Sequence, residues 1–132
     1  MKSYQRAAYK ALHKVCDFRG RRILEIGGDL ECEVARAFIE AGATEVVTIN
    51  PGFKEATSEM DGKIKLRPYS ALELSEHFEP GTFGAVFGVA VLEHIPTTPV
   101  LLDQIYQVTA PGAIVYLHGG PIWTSARGHH VW

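Results

Sequence analysis

Two stretches of this 132-residue chain combine residue types and turns suited to chemistry. The first is Glu25-Ile26-Gly27-Gly28-Asp29-Leu30-Glu31-Cys32, where a short apolar run ends on paired glycines and then turns acidic. A glycine directly after a strand lets a ligand approach the backbone, and a helix behind it presents unpaired N–H groups. The second is Val91-Leu92-Glu93-His94-Ile95, which sets an imidazole beside a carboxylate at the end of another apolar run. Histidine titrates near neutral pH, so His94 is a candidate general base. Plainer readings stand beside both. Gly27-Gly28 also suits a tight strand-to-helix connection, and His94 also suits a loop cap or a packing role beside a ligand.

The charges around the glycine turn narrow the ligand. Asp29, Glu31 and Glu33 suit the positive end of a helix dipole, but they repel a pyrophosphate. The dinucleotide pattern G-x-G-x-x-G is absent. An adenosyl ligand without phosphate, such as S-adenosylmethionine with its sulfonium and amino group, suits this acidic loop better than NAD. His118, His129 and His130 lie near Trp123, Arg127 and Trp132, with no carboxylate at ligand spacing, so no metal site is expected there. Cys32 is read as a small buried residue rather than a nucleophile. Arg21-Arg22 is read as a solvated strand entry.

These residues need elements to place them. Ala7, Ala8, Leu12 and Val15 recur at helical spacing and predict a helix over 3–17. A strand follows over 21–26, then a helix with Val34, Ala35, Phe38, Ile39 and Ala41 on its apolar face. A second strand spans 45–49. Residues 54–60 are expected as a short helix, 63–67 as a third strand, and 71–77 as another short helix. The run 83–91 is apolar almost throughout, as in a strand buried on both faces. A helix over 99–109 ends at Ala110-Pro111-Gly112, a fifth strand spans 113–118, and 119–132 is read as irregular. Strands alternating with helices imply right-handed crossovers and an open parallel sheet. Ligands of such sheets bind beyond the carboxyl ends of the strands.

Composition sets the bounds. Hydrophobic residues make up 46% and charged residues 21%, as in one soluble globular domain over 1–132. The net charge of −2 provides no general field for nucleic acid or an anionic membrane. No apolar run reaches the roughly 18 residues of a membrane helix. Met1 to Arg6 lacks the apolar stretch of a secretory signal. Cys16 and Cys32 show neither CxxC nor zinc spacing, so a reducing cytoplasm is the expected compartment.

The order of these motifs resembles class I S-adenosylmethionine-dependent methyltransferases of the small-molecule type. Ile23 to Asn50 looks like the family's first binding motif and second strand. Phe83 to Ile95 looks like its fourth-strand motif, and Leu101 to Leu117, with Thr109-Ala110-Pro111-Gly112-Ala113, like the following helix, Pro-Gly turn and fifth strand. The resemblance implies a Rossmann-like sheet of about five strands in the order 3-2-1-4-5, with helices on both faces. It implies S-adenosylmethionine as cofactor and a small-molecule acceptor. Carried over position by position, it places Glu25, Gly27, Gly28, Asp29, Asn50, Ser70, Ala71 and Val89 at the cofactor and His94 near the acceptor. Four features depart from the family pattern. Asp29, Glu31 and Cys32 stand where later glycines are usual, and Asn50 stands where an acid usually meets the ribose. Ser70 lies near the usual adenine-contacting Asp, and Gly84 replaces an Asp after Phe83.

The family normally continues past the fifth strand with a helix and two further strands. The chain is therefore expected to be a fragment or a shortened form, with its fifth strand as a sheet edge. An apolar edge invites pairing, so a homodimer or partner contact through 113–132 is expected. Three functions remain open at this point: an active methyltransferase, a catalytically silent relative serving as a binding or assembly module, and a domain for NAD or a nucleoside.

Overall fold

The computed structural model describes residues 1–120. The predicted ladder is present, with one strand added. Strands β1 (Arg22–Ile26), β2 (Glu45–Ile49), β3 (Thr57–Glu59), β4 (Ile64–Arg67), β5 (Phe83–Val89) and β6 (Thr109–His118) form one sheet in the order β3-β4-β2-β1-β5-β6. Every pairing is parallel except β3 with β4. Without β3 the order is the expected 3-2-1-4-5.

Residues 54–60 depart from the predicted helix. The chain runs extended through Thr57–Glu59 and turns back at Met60, Asp61 and Gly62, whose φ values are 50°, 55° and 82°. The Gly62 N–H donates to the Glu59 carbonyl at 3.1 Å, closing the hairpin. Asp-Gly favours such left-handed turns, and this turn chemistry replaces the expected short helix.

Helices α1 (Ser3–His13) and α2 (Glu33–Glu40) cover one face, and α3 (Leu74–His77) and α4 (Thr98–Val108) the other. Helix α1 is shorter than 3–17, and α3 shorter than 71–77. On the α2 face Phe18, Phe38 and Phe87 meet edge to face, with centroids 4.9 and 5.4 Å apart along the chain of contacts. On the other face Leu24, Ile26, Val47 and Val86 pack with Leu74, Leu101 and Ile105. Burial of both faces of β1, β2 and β5 explains their continuous apolar runs.

The strand entries are not merely solvated. Arg21 donates to the Asp17 and Gly84 carbonyls, the latter at 3.0 Å. Glu45 accepts from Arg22 and Lys65, joining β1, β2 and β4. Partial burial pushes the Glu45 carboxyl up, but the hydrogen bonds from Lys65 and Arg22 outweigh it and leave the group below its ordinary value.

Strand β6 begins earlier than 113. Phe83 pairs with Thr109 and Ala85 with Ile114, so Ala110 to Ala113 bulge from the ladder. Its outer side has no strand partner among the described residues. No helix among them is long and apolar enough to cross a membrane.

Candidate active site at the carboxyl ends of the strands

The glycine turn stands on a polar floor. Along β1 and β2 the layer facing α2 is apolar except for Glu25 and Thr48, which sit opposite each other in register. The Thr48 hydroxyl donates to Glu25 Oε2 at 2.6 Å. Burial pushes the Glu25 carboxyl up to about 7; the Thr48 hydrogen bond acts against the rise and the nearby Asp29 charge adds to it.

Both glycines are required by packing within the protein. Gly27 has φ +75°, and a Cβ there would lie 2.5 Å from Val91 Cγ1. A Cβ on Gly28 would lie 2.2 Å from Thr48 Cγ2 and 2.9 Å from Glu25 Oε2. The Gly27 N–H donates to the Ile49 carbonyl at 2.9 Å, extending the β1–β2 ladder into the turn. The loop then enters α2 through Cys32, held left-handed at φ 52° where a glycine would be unstrained. Burial raises the Cys32 thiol to about 11, with the Glu59 and Glu25 charges adding to the rise, so it is not a thiolate nucleophile near neutral pH.

Two cavities open over this floor, of about 420 and 440 Å³. Both fall in the range of small-ligand sites, roughly 300–1,000 Å³. They share Gly27, Asn50 and Ala90, and so form neighbouring compartments of one cleft. The first is walled by Ile26, Ile49, Tyr69, Ser70, Ala71 and Leu72, with Val91, His94 and Ile95 from beyond β5. The second takes Gly28, Asp29, Leu30 and Glu31 from the turn, with Gly52, Phe53 and Val89. The start of α1 adds Tyr4 and Gln5 to it, and the preceding residue Lys2 joins them.

The predicted residues thus divide. Gly27 and Asn50 face both compartments. Ser70, Ala71 and His94 face the first, and Gly28, Asp29 and Val89 the second. Glu25 lines neither; it lies beneath the turn. Gly84 is at the amino end of β5, beside Arg21 and away from the cleft. His129, His130, Trp123, Arg127 and Trp132 lie outside the described residues.

Local geometry fixes each wall. Ser70 Oγ accepts the Leu72 N–H at 3.2 Å, a serine turn that leads toward α3. His94 closes a single 3-10 turn over Leu92–His94, its N–H bonded to the Val91 carbonyl at 2.9 Å. Glu93 turns away and accepts the Gly120 N–H at 3.3 Å. Ala90 holds a left-handed φ of 58° where both compartments meet. Lys2, Tyr4 and Gln5 carried no signal in the sequence, because helical spacing does not show which turn of α1 meets the cleft. The anchor is tertiary: the Met1 amino group pairs with Glu33 at the start of α2.

A larger hollow, about 820 Å³, lies elsewhere, between α4 and the Ala110–Ala113 bulge. Its walls include Leu102, Ile105, Tyr106, Pro111 and Val115, with no carboxylate, imidazole or basic group. It sits toward the amino end of β6, and the site chemistry is at the opposite end.

The fold is that of known methyltransferases. An S-adenosylmethionine dependent methyltransferase from Mesorhizobium loti superposes with a TM-score of 0.71 at 19% identity, covering 87% of this chain and 52% of that one. The YcgJ protein from Bacillus subtilis superposes at 0.68 and 13% identity, covering 85% and 50%. Haemonchus contortus phosphoethanolamine N-methyltransferase 2, in complex with phosphomonomethylethanolamine and S-adenosylhomocysteine, superposes at 0.65 and 23% identity, covering 84% and 27%. The chain therefore spans about half the length, or less, of these neighbours. No curated protein matches it in sequence. The family model described as a methyltransferase domain matches residues 1–119. The chain belongs to the methyltransferase domain family.

Proposed function

We propose that this domain carries out S-adenosylmethionine-dependent methyl transfer to a small-molecule acceptor. The observation that carries the proposal is the two-compartment cleft over the glycine turn, joined at Gly27, Asn50 and Ala90. Its rim suits this cofactor. Asp29 and Glu31 favour a cation and disfavour phosphates, and the first compartment offers apolar walls with Ser70 for a nucleoside.

When bound, the cofactor supplies an electrophilic methyl group on a cationic sulfur. The chain supplies orientation. Gly27, Gly28 and Asp29 would hold the amino-acid end, and Ser70, Ala71 and Leu72 the base. Positioning of donor and acceptor accounts for much of the rate gain in such a displacement. Val89 lines the second compartment, where Lys2, Tyr4 and Phe53 would bound the acceptor. From the first compartment, His94 would take the proton of a hydroxyl or ammonium acceptor that reaches the place where the two compartments join. Glu25 supports the turn from below.

Titration calorimetry with S-adenosylmethionine tests the reading. Submillimolar binding is expected, and no heat up to millimolar cofactor would remove the cofactor from this cleft. A labelled-methyl turnover screen over small amines, hydroxyls and acids then separates an enzyme from a silent binding module. Cofactor binding without turnover would favour the module. The partners we propose are a small molecule in the cleft and a second copy of the chain along β6. The two cysteines are buried and unpaired, which fits a reducing cytoplasm.

A further inference from the structure

The side chain of Asn50 is engaged inside the protein through both its donor and its acceptor ends. Its Nδ2 donates to the Gly28 carbonyl at 2.9 Å. Its Oδ1 accepts the Gly52 N–H, also at 2.9 Å. Its main chain is engaged as well: the N–H donates to the Arg67 carbonyl at 3.1 Å, and the carbonyl accepts the Phe53 N–H at 3.0 Å. One residue thus ties the end of β2 to the end of β4, to its own turn and to the glycine turn.

Gly28 is held from two sides. Thr48 and Glu25 fill the space beside its α-carbon, and Asn50 holds its carbonyl. We propose that Asn50 is a positioning residue, a latch that sets the Gly27–Asp29 backbone for the cofactor, and that its role depends on carrying a donor and an acceptor together. This inference rests on the cofactor reading above. It gives this position a contact inside the protein that the expected ribose contact did not include.

The two roles predict opposite effects of Asn50→Asp. A carboxylate keeps the acceptor for Gly52 N–H but turns a second oxygen against the Gly28 carbonyl. A ribose-binding position would gain from the same charge, because charge-assisted hydrogen bonds are stronger. Protonation of the carboxyl restores a donor, so the defect of Asn50→Asp should shrink in acid.

The test is calorimetry with S-adenosylhomocysteine on wild type and Asn50→Asp, at about pH 8 and about pH 4. Glu25 titrates in both proteins, so the ratio of their dissociation constants isolates position 50. The latch predicts about tenfold weaker binding by the variant at the higher pH, narrowing about threefold or more at the lower one. Equal or tighter binding by Asn50→Asp at about pH 8, or a ratio that does not narrow, overturns the proposal.

Amide exchange on the ligand-free protein gives an independent readout. The Gly52 N–H should be slowed in wild type and exchange about tenfold faster or more in Asn50→Ala, with Asn50→Asp resembling wild type. Unprotected Gly52 in the wild type overturns the latch even where a variant fails to fold. If the wild type shows no binding of S-adenosylhomocysteine, the cofactor reading fails, while exchange at Gly52 still decides the latch.

Discussion

The Thr48 hydroxyl and the Glu25 carboxyl face each other at 2.6 Å across neighbouring strands, in an otherwise apolar layer, directly beneath Gly28. A buried polar pair survives only when it is satisfied, and here each group satisfies the other. The pair sets both the titration behaviour of the fold and the residue types its turn accepts.

Glu25 makes stability depend on pH. Its carboxyl is raised to about 7 in the fold, first by burial, against 4.5 ordinarily. The folded state thus holds a proton that the unfolded chain has released. The resulting stabilisation is complete below about pH 4.5 and is lost as pH rises through about 7, a change of about 3 kcal/mol. Glu25→Gln removes this slope and keeps an acceptor for Thr48. Urea unfolding of both proteins from about pH 5 to about pH 8 should show their stability difference falling as pH rises. A constant difference would mean that Glu25 titrates normally.

Gly28→Ala forces a methyl group against Thr48 Cγ2 and Glu25. A loss of about 1–3 kcal/mol is expected from this overpacking. Thr48→Ser removes Cγ2 and keeps the hydroxyl, so the double variant should recover part of that loss. Thermal unfolding of the four proteins completes a double-mutant cycle. Additive effects would show that the two side chains do not compete for the same space.

His94 is tested once the turnover screen has supplied an acceptor. A general base contributes about 10²–10⁴-fold to rate. His94→Gln should therefore reduce kcat by about 10²-fold or more while cofactor affinity stays within about twofold. Weaker cofactor binding with kcat preserved would make His94 a wall of the first compartment instead.

The β6 edge predicts association. From Thr109 to Leu117 the strand carries no charge, and Val115, Leu102 and Tyr106 expose apolar surface beside it. Such an edge pairs readily, and lysine on an edge strand blocks pairing. Sedimentation should show a wild-type mass rising toward two chains with concentration and a monomeric Val115→Lys. A wild-type monomer at about millimolar protein would exclude the dimer.

Much of the fold was legible because burial on both faces leaves a plain mark. Arg22–Ile26, Glu45–Ile49 and Phe83–Val89 are apolar runs between turn residues, and their strands follow directly. The Thr57–Glu59 strand was harder to see. Its residues are polar and edge-exposed, and only the Asp61-Gly62 turn betrays it. The glycine turn, Asn50, Ser70, Ala71 and His94 gather at the cleft because each follows the carboxyl end of a parallel strand. Sequence order could not place Glu25 under the turn rather than in the cavity, nor bring Tyr4 across from α1. Those positions depend on side-chain direction and helix docking, which spacing along the chain does not encode.

The hairpin at Met60-Asp61-Gly62 lies at the amino end of β4, and the cleft opens at the carboxyl ends of the same sheet. The two are separated by the length of the strands. At the tip Asp61 is polar and exposed and Gly62 is small, the character of a splice site that tolerates foreign sequence. A reporter grafted between Asp61 and Gly62 would hang below the sheet like a keel, clear of both the ligand entrance and the β6 flank.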